Sequence, residues 1–104
     1  MPHLLLVDDD EDILALLTSF FRKHSHIVST AMNSAEMFTA LNRQSIDLVI
    51  LDVMLQNEDG FSVCRQLRAT SQIPVILISA AMVVVALTVG LFGPRTRGLA
   101  LEQI

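Results

Sequence analysis

Along residues 1–80 the apolar positions switch between two periods. Leu4-Leu5-Leu6-Val7, Ile46 to Leu51 with Asp47 inside it, and Val75-Ile76-Leu77-Ile78 are short continuous apolar runs. Strands covered on both faces of a parallel sheet read this way, because neither face meets water. His26 to Thr30 (HIVST) is more polar and rich in β-branched residues, which predicts a strand nearer the sheet edge. Between the runs, apolar residues recur every three or four positions. Ile13, Leu14, Leu17, Phe20 and Phe21 follow the acidic turn Asp10-Glu11-Asp12, which suits the positive end of a helix dipole. Asn33 and Glu36 have the spacing of a capping box ahead of a Met37, Phe38 and Leu41 stripe. Asp59-Gly60 precedes Phe61, Cys64 and Leu67 at three-residue spacing, with Asp59 read as the helix cap and Cys64 as core. Alternating strands and helices with short connections predict an α/β fold, a doubly wound parallel sheet with right-handed crossovers and helices on both faces.

The pattern stops after Ala80. Residues 81–104 hold no Asp, no Lys and one Glu, with Val83-Val84-Val85 and then Gly93-Pro94-Arg95-Thr96-Arg97-Gly98. The chain therefore divides into residues 1–80, which carry the periodic pattern, and an atypical tail over residues 81–104. No charge falls between Arg68 and Arg95, and the apolar stretch 73–93 is long enough to span a membrane. Pro74 heads that stretch, Ser79 interrupts it, and its first half already reads as a buried strand, so we take it as aggregation-prone rather than membrane-spanning.

Composition narrows the function classes. With 104 residues, of which 52% are hydrophobic, the chain has room for one core. A net charge of -4 removes the electrostatic footprint that binding a phosphate backbone requires, and Arg95 and Arg97 are too few to restore it, so no direct nucleic-acid ligand is expected. The single Cys64 closes no internal disulfide and no Cys/His group has zinc spacing, which fits a reducing, cytoplasmic setting. His24 and His26 read as surface histidines, Asp47 as a solvated charge at a strand entry, and MPHLLLVDDDED as no signal peptide.

Ligands of an open parallel sheet bind beyond the carboxyl ends of its strands. Those ends carry Asp8, Asp9 and Asp10 after the first strand, Asp52 after the third and Ser79 after the fourth. Crowded carboxylates repel one another unless a cation sits among them, and an oxygen-only set without His or Cys favours Mg²⁺. A carboxylate beside Mg²⁺ is also a competent nucleophile toward phosphorus.

LLLVDDDEDI, then DLVILDVMLQNEDGFSVCRQLR, then IPVILISA resemble, over residues 3–80, the receiver domain of two-component response regulators, most closely the OmpR-type. The resemblance implies a flavodoxin-like, CheY-like sheet of order 2-1-3-4-5, here with a weak fifth strand and no fifth helix. It implies Asp52 as phosphoacceptor, Asp8 and Asp9 as the acidic pair holding Mg²⁺ together with Asp52, the backbone carbonyl of Met54 completing the metal shell, and Ser79 meeting the phosphoryl group. It also implies a sensor histidine kinase as partner, docking along Ile13 to His24, and a switch that modifies itself rather than an enzyme with turnover. Departures from the family pattern are Gln56 in place of a usual Pro, read as loosening a turn, Leu101 in place of the phosphate-pairing Lys, and Gly98 in place of an aromatic switch residue. They raise an alternative, a truncated or frameshifted receiver unable to switch that only binds its kinase or self-associates through its C-terminal segment. A magnesium-dependent phosphohydrolase is disfavoured because position 54, where a second acid would serve as general acid, is Met.

Overall fold

The computed structural model describes residues 1–79. They run β1 (His3–Val7), α1 (Glu11–Lys23), β2 (Ile27–Ala31), α2 (Ser34–Arg43), β3 (Leu48–Asp52), β4 (Met54–Leu55), β5 (Glu58–Asp59), α3 (Gly60–Arg68) and β6 (Val75–Ile78). The main sheet has the order β2-β1-β3-β6 with every neighbouring pair parallel. This is the expected doubly wound, flavodoxin-like arrangement, with β6 standing as the fourth strand. The fifth strand and helix, Gly98, Leu101 and the tail expected to mediate self-association lie outside the described residues.

Continuous apolar runs become strands here because successive side chains point to opposite faces, and both faces are covered. On one face Leu5, Val7, Val49 and Leu51 pack with Met37 of α2 and Val63 and Leu67 of α3. On the other, Leu4, Leu6, Val28 and Ile50 pack with Leu14 and Leu17 of α1. Each such side chain, fully buried, contributes roughly 2 kcal/mol of hydrophobic stabilisation. The edge strand β2 leaves Ile27 exposed, and β6 leaves Ile76 exposed, so the run Val75–Ile78 is less covered than its composition predicts. It nevertheless makes the start of the 73–93 stretch a sheet strand, and no helix among the described residues is long and apolar enough to cross a membrane.

Each helix starts on a side-chain cap. The Asp10 carboxylate accepts from the Asp12 and Ile13 amides at 2.9 and 3.3 Å. Asn33 accepts from Glu36 N–H at 2.9 Å and Asp59 from Phe61 N–H at 3.0 Å. The capping box at α2 is shifted, because Glu36 accepts from the Met32 amide rather than from that of Asn33. Two aromatic residues depart from their predicted stripes. α3 buries Gly60, Val63 and Leu67, with Cys64 partly buried beside them, while Phe61 is 54% exposed. Gly60 itself lies against the Asp52–Val53 backbone, and that contact turns position 61 outward. Phe20 sits on the helix flank, edge-on to Phe21 and tilted over the His24 ring at 4.6 Å. Asp47 is exposed, as expected, but also clasps β1: it accepts from the His3 amide and donates its own N–H to the His3 carbonyl, both at 2.8 Å.

Candidate functional site

β1 and β3 pair up to Val7 and Leu51, so the next residue on each strand, Asp8 and Asp52, emerge side by side at the carboxyl edge of the sheet. Both are buried, at 3% and 7% exposure, and Asp9 beside them is half-buried. One carboxylate oxygen from each of Asp8, Asp9 and Asp52 lies within 4.8 Å of the others. Burial pushes the Asp8 carboxyl up to about 6; the charges of Asp52 and Asp9 and a hydrogen bond with Asp52 add to the rise, and the Asp10 amide, donating to Asp8 Oδ1 at 2.9 Å, offsets part of it. Asp10 does not join the cluster, because its carboxylate is committed to capping α1. Ser79 follows directly on Ile78, the β6 partner of Asp52, which places it on the same edge. The side chain of Met54 is 77% exposed, and its amide donates to Asp52 Oδ1 at 3.0 Å.

These residues suit a hard divalent cation. The donors are all oxygen, the charges crowd within one cation's reach, and Asp8 holds on to a proton well above the usual carboxylate range in the metal-free protein. A cation there would displace that proton and neutralise the repulsion.

The site also rests on residues whose part was not visible in the pattern. Gly60 N–H donates to the Val53 carbonyl at 2.9 Å. A Cβ at Gly60 would collide with the Asp52 carbonyl and stand 2.6 Å from Val53 Cα, so only glycine lets α3 begin this close to the loop after β3. The Gln56 amide donates to Asp9 Oδ2 at 3.0 Å. Gln56, at the position where the family pattern has Pro, thus supplies a donor that proline lacks. Glu58 accepts from both the amide and the hydroxyl of Ser34. Residue spacing signals none of these ties, because each depends on where distant segments meet.

The response regulator receiver domain family matches residues 4–93. The chain belongs to that family. Its similarity to AfsQ1, a transcriptional regulatory protein of Streptomyces coelicolor, is 42% identity over 91 residues, covering 88% of this chain and 40% of AfsQ1. A probable transcriptional regulator of Cyanidium caldarium, ycf27, is 42% identical over 78 residues, covering 75% of this chain and 31% of its own length. The chain thus spans two fifths or less of these curated relatives. Among solved structures, the receiver domain of the TMAO respiratory system regulator TorR superposes with a TM-score of 0.69 at 32% identity, over 74% of this chain and 64% of that one. TrrA of Thermotoga maritima, solved in complex with Mg²⁺ and beryllium fluoride, superposes with a TM-score of 0.72 at 30% identity over 77% of this chain and 70% of that one. TrrA has also been solved bound to the histidine kinase ThkA, with the same TM-score and identity. The family match continues past residue 80 to residue 93, and the receiver-domain reading is favoured over that of a module that only binds its kinase or self-associates.

Proposed function

We propose that this receiver domain accepts a phosphoryl group from a sensor histidine kinase onto Asp52. The observation that carries the reading is the convergence of Asp8, Asp9 and Asp52 within 4.8 Å at one strand edge, with Ser79 beside them. A carboxylate oxygen of Asp52 attacks the phosphorus of a phosphohistidine; the new P–O bond makes an acyl phosphate, and the P–N electron pair leaves with the imidazole. Asp8, Asp9 and Asp52 would hold Mg²⁺, and the Met54 carbonyl would serve as a further ligand. The cation, when bound, neutralises charge on the phosphoryl oxygens. Ser79 offers a hydroxyl to the transferred group. The phosphoryl group stays on the domain's own carboxylate while the donor's leaving group departs, which suits a switch that modifies itself. Its working place is the cytoplasm, whose reducing conditions suit the free thiol of Cys64.

Incubation with acetyl phosphate or a phosphorylated histidine kinase in Mg²⁺, followed by mass spectrometry, is expected to place the label on Asp52. Asp52→Ala is expected to take none, and label retained in that variant would show that another residue is the acceptor.

A further inference from the structure

The short hairpin β4–β5 stands apart from the main sheet. It consists of two residue pairs, Met54 with Asp59 and Leu55 with Glu58, around a turn at Gln56-Asn57 in which Asn57 takes the left-handed conformation (φ 64°). So small a hairpin has little stability of its own, and its placement depends on what holds it. Leu55 is buried beneath it, while Gln56 and Asn57 at the tip are exposed. Two polar ties fix the tip. On one side the Gln56 amide donates to Asp9. On the other, the Glu58 carboxylate accepts from the Ser34 amide at 3.0 Å and from the Ser34 hydroxyl. Ser34 is the first residue of α2, which packs through Met37 into the core, so Glu58 fastens the hairpin to a rigid element. The helix N-terminus favours a carboxylate there, and the two Ser34 donors hold the Glu58 carboxyl below its usual range.

We infer that Glu58 is a positioning residue for the metal site: by anchoring the hairpin on Ser34 it keeps the Gln56 amide on Asp9 and so orients the Asp9 carboxylate toward Asp8 and Asp52. The inference rests on the proposed Mg²⁺ site. Asp9 is the least buried of the three acids and the one whose side chain would otherwise turn away from two like charges. A donor on one of its oxygens leaves the other for a cation and removes part of the ordering cost of binding.

The test is a Mg²⁺ titration followed by amide NMR, with thermal unfolding in EDTA measured in parallel. Glu58→Ala, which removes both acceptors of the Ser34 tie, is expected to weaken Mg²⁺ binding roughly threefold to tenfold, and Gln56→Pro, which deletes the donor itself, by about tenfold. In the Gln56→Pro background, Glu58→Ala is expected to have little further effect, because both changes break one route. Leu17→Ala, a core change on the opposite face of the sheet from the hairpin, is expected to lower the melting temperature without altering Mg²⁺ affinity. Equal affinity in wild type and Glu58→Ala would overturn the positioning role. An undiminished Glu58→Ala effect in the Gln56→Pro background would overturn the route through Asp9. No saturable binding by wild type would overturn the metal site, and the positioning role with it.

Discussion

At the end of the sheet where strands begin, Asp47 is exposed, and its carboxylate rests on the His3 amide at 2.8 Å. At the end where strands finish, Asp8 is 3% exposed, meets Asp52 and Asp9, and is pushed up to about 6. Both residues sit at a strand boundary in the centre of the same sheet, yet water and a donor satisfy one while burial and like charges penalise the other. A fold selected only for stability gains nothing from the second arrangement. The asymmetry extends to the helices, which start at the acid-rich end with Glu11, Asp12 and Glu36 in their first turns and finish at the other end with Arg22, Lys23, Arg43, Arg65 and Arg68 in their last. The dipoles of α1 and α2 are matched at both ends and that of α3 in its last turn, so the acidic edge is electrostatically consistent with the helices but costly for the buried carboxylates.

The contrast is sharpened most by pH. The folded-state value of Asp8 lies above its ordinary 3.8, so the stability associated with its protonation is complete below about pH 4 and is lost as pH rises through about 6. In EDTA this group alone is expected to cost up to about 3 kcal/mol between those limits. Asp8→Asn should therefore be more stable than wild type at pH 7 but not at pH 4, as urea unfolding at the two pH values would show, and Mg²⁺ should stabilise wild type only. Identical pH slopes in the two proteins would break the comparison.

Gly60→Ala probes the same edge through the backbone. The added Cβ has to displace the Asp52–Val53 peptide, which is expected to cost about 2 kcal/mol and to slow phosphoryl acceptance by moving the nucleophile. Unchanged acceptance with lowered stability would show that Asp52 tolerates the shift. Asn33→Ala, which removes the α2 cap on the Glu36 amide, is expected to cost about 1 kcal/mol in chemical denaturation. The smallest effect is expected at the opposite end, where Asp47→Ala should cost less than about 1 kcal/mol and leave Mg²⁺ affinity as it was. A large loss of Mg²⁺ binding there would mean that the two ends are coupled through β1 and β3.

The sequence by itself determined the order of the main-sheet strands and helices, the caps at Asn33 and Asp59, and the identity of Asp8, Asp9 and Asp52 as acids at strand ends. These are short-range signals: a cap bonds an amide two or three residues away, and burial on both faces leaves its mark within one run of a strand. Tertiary structure alone decided that Asp8, Asp9 and Asp52 converge within one cation's reach, and that Phe61 faces water while Gly60 is buried. It also decided that residues 54–59 form a hairpin, whose two-residue strands are too short to show any period. The ties that hold this hairpin join Asp9 to Gln56 across 47 positions and Ser34 to Glu58 across 24. Partners so far apart leave no periodic trace in the chain, and only the closing of β1, β3 and α2 around one edge brings them within reach of a hydrogen bond.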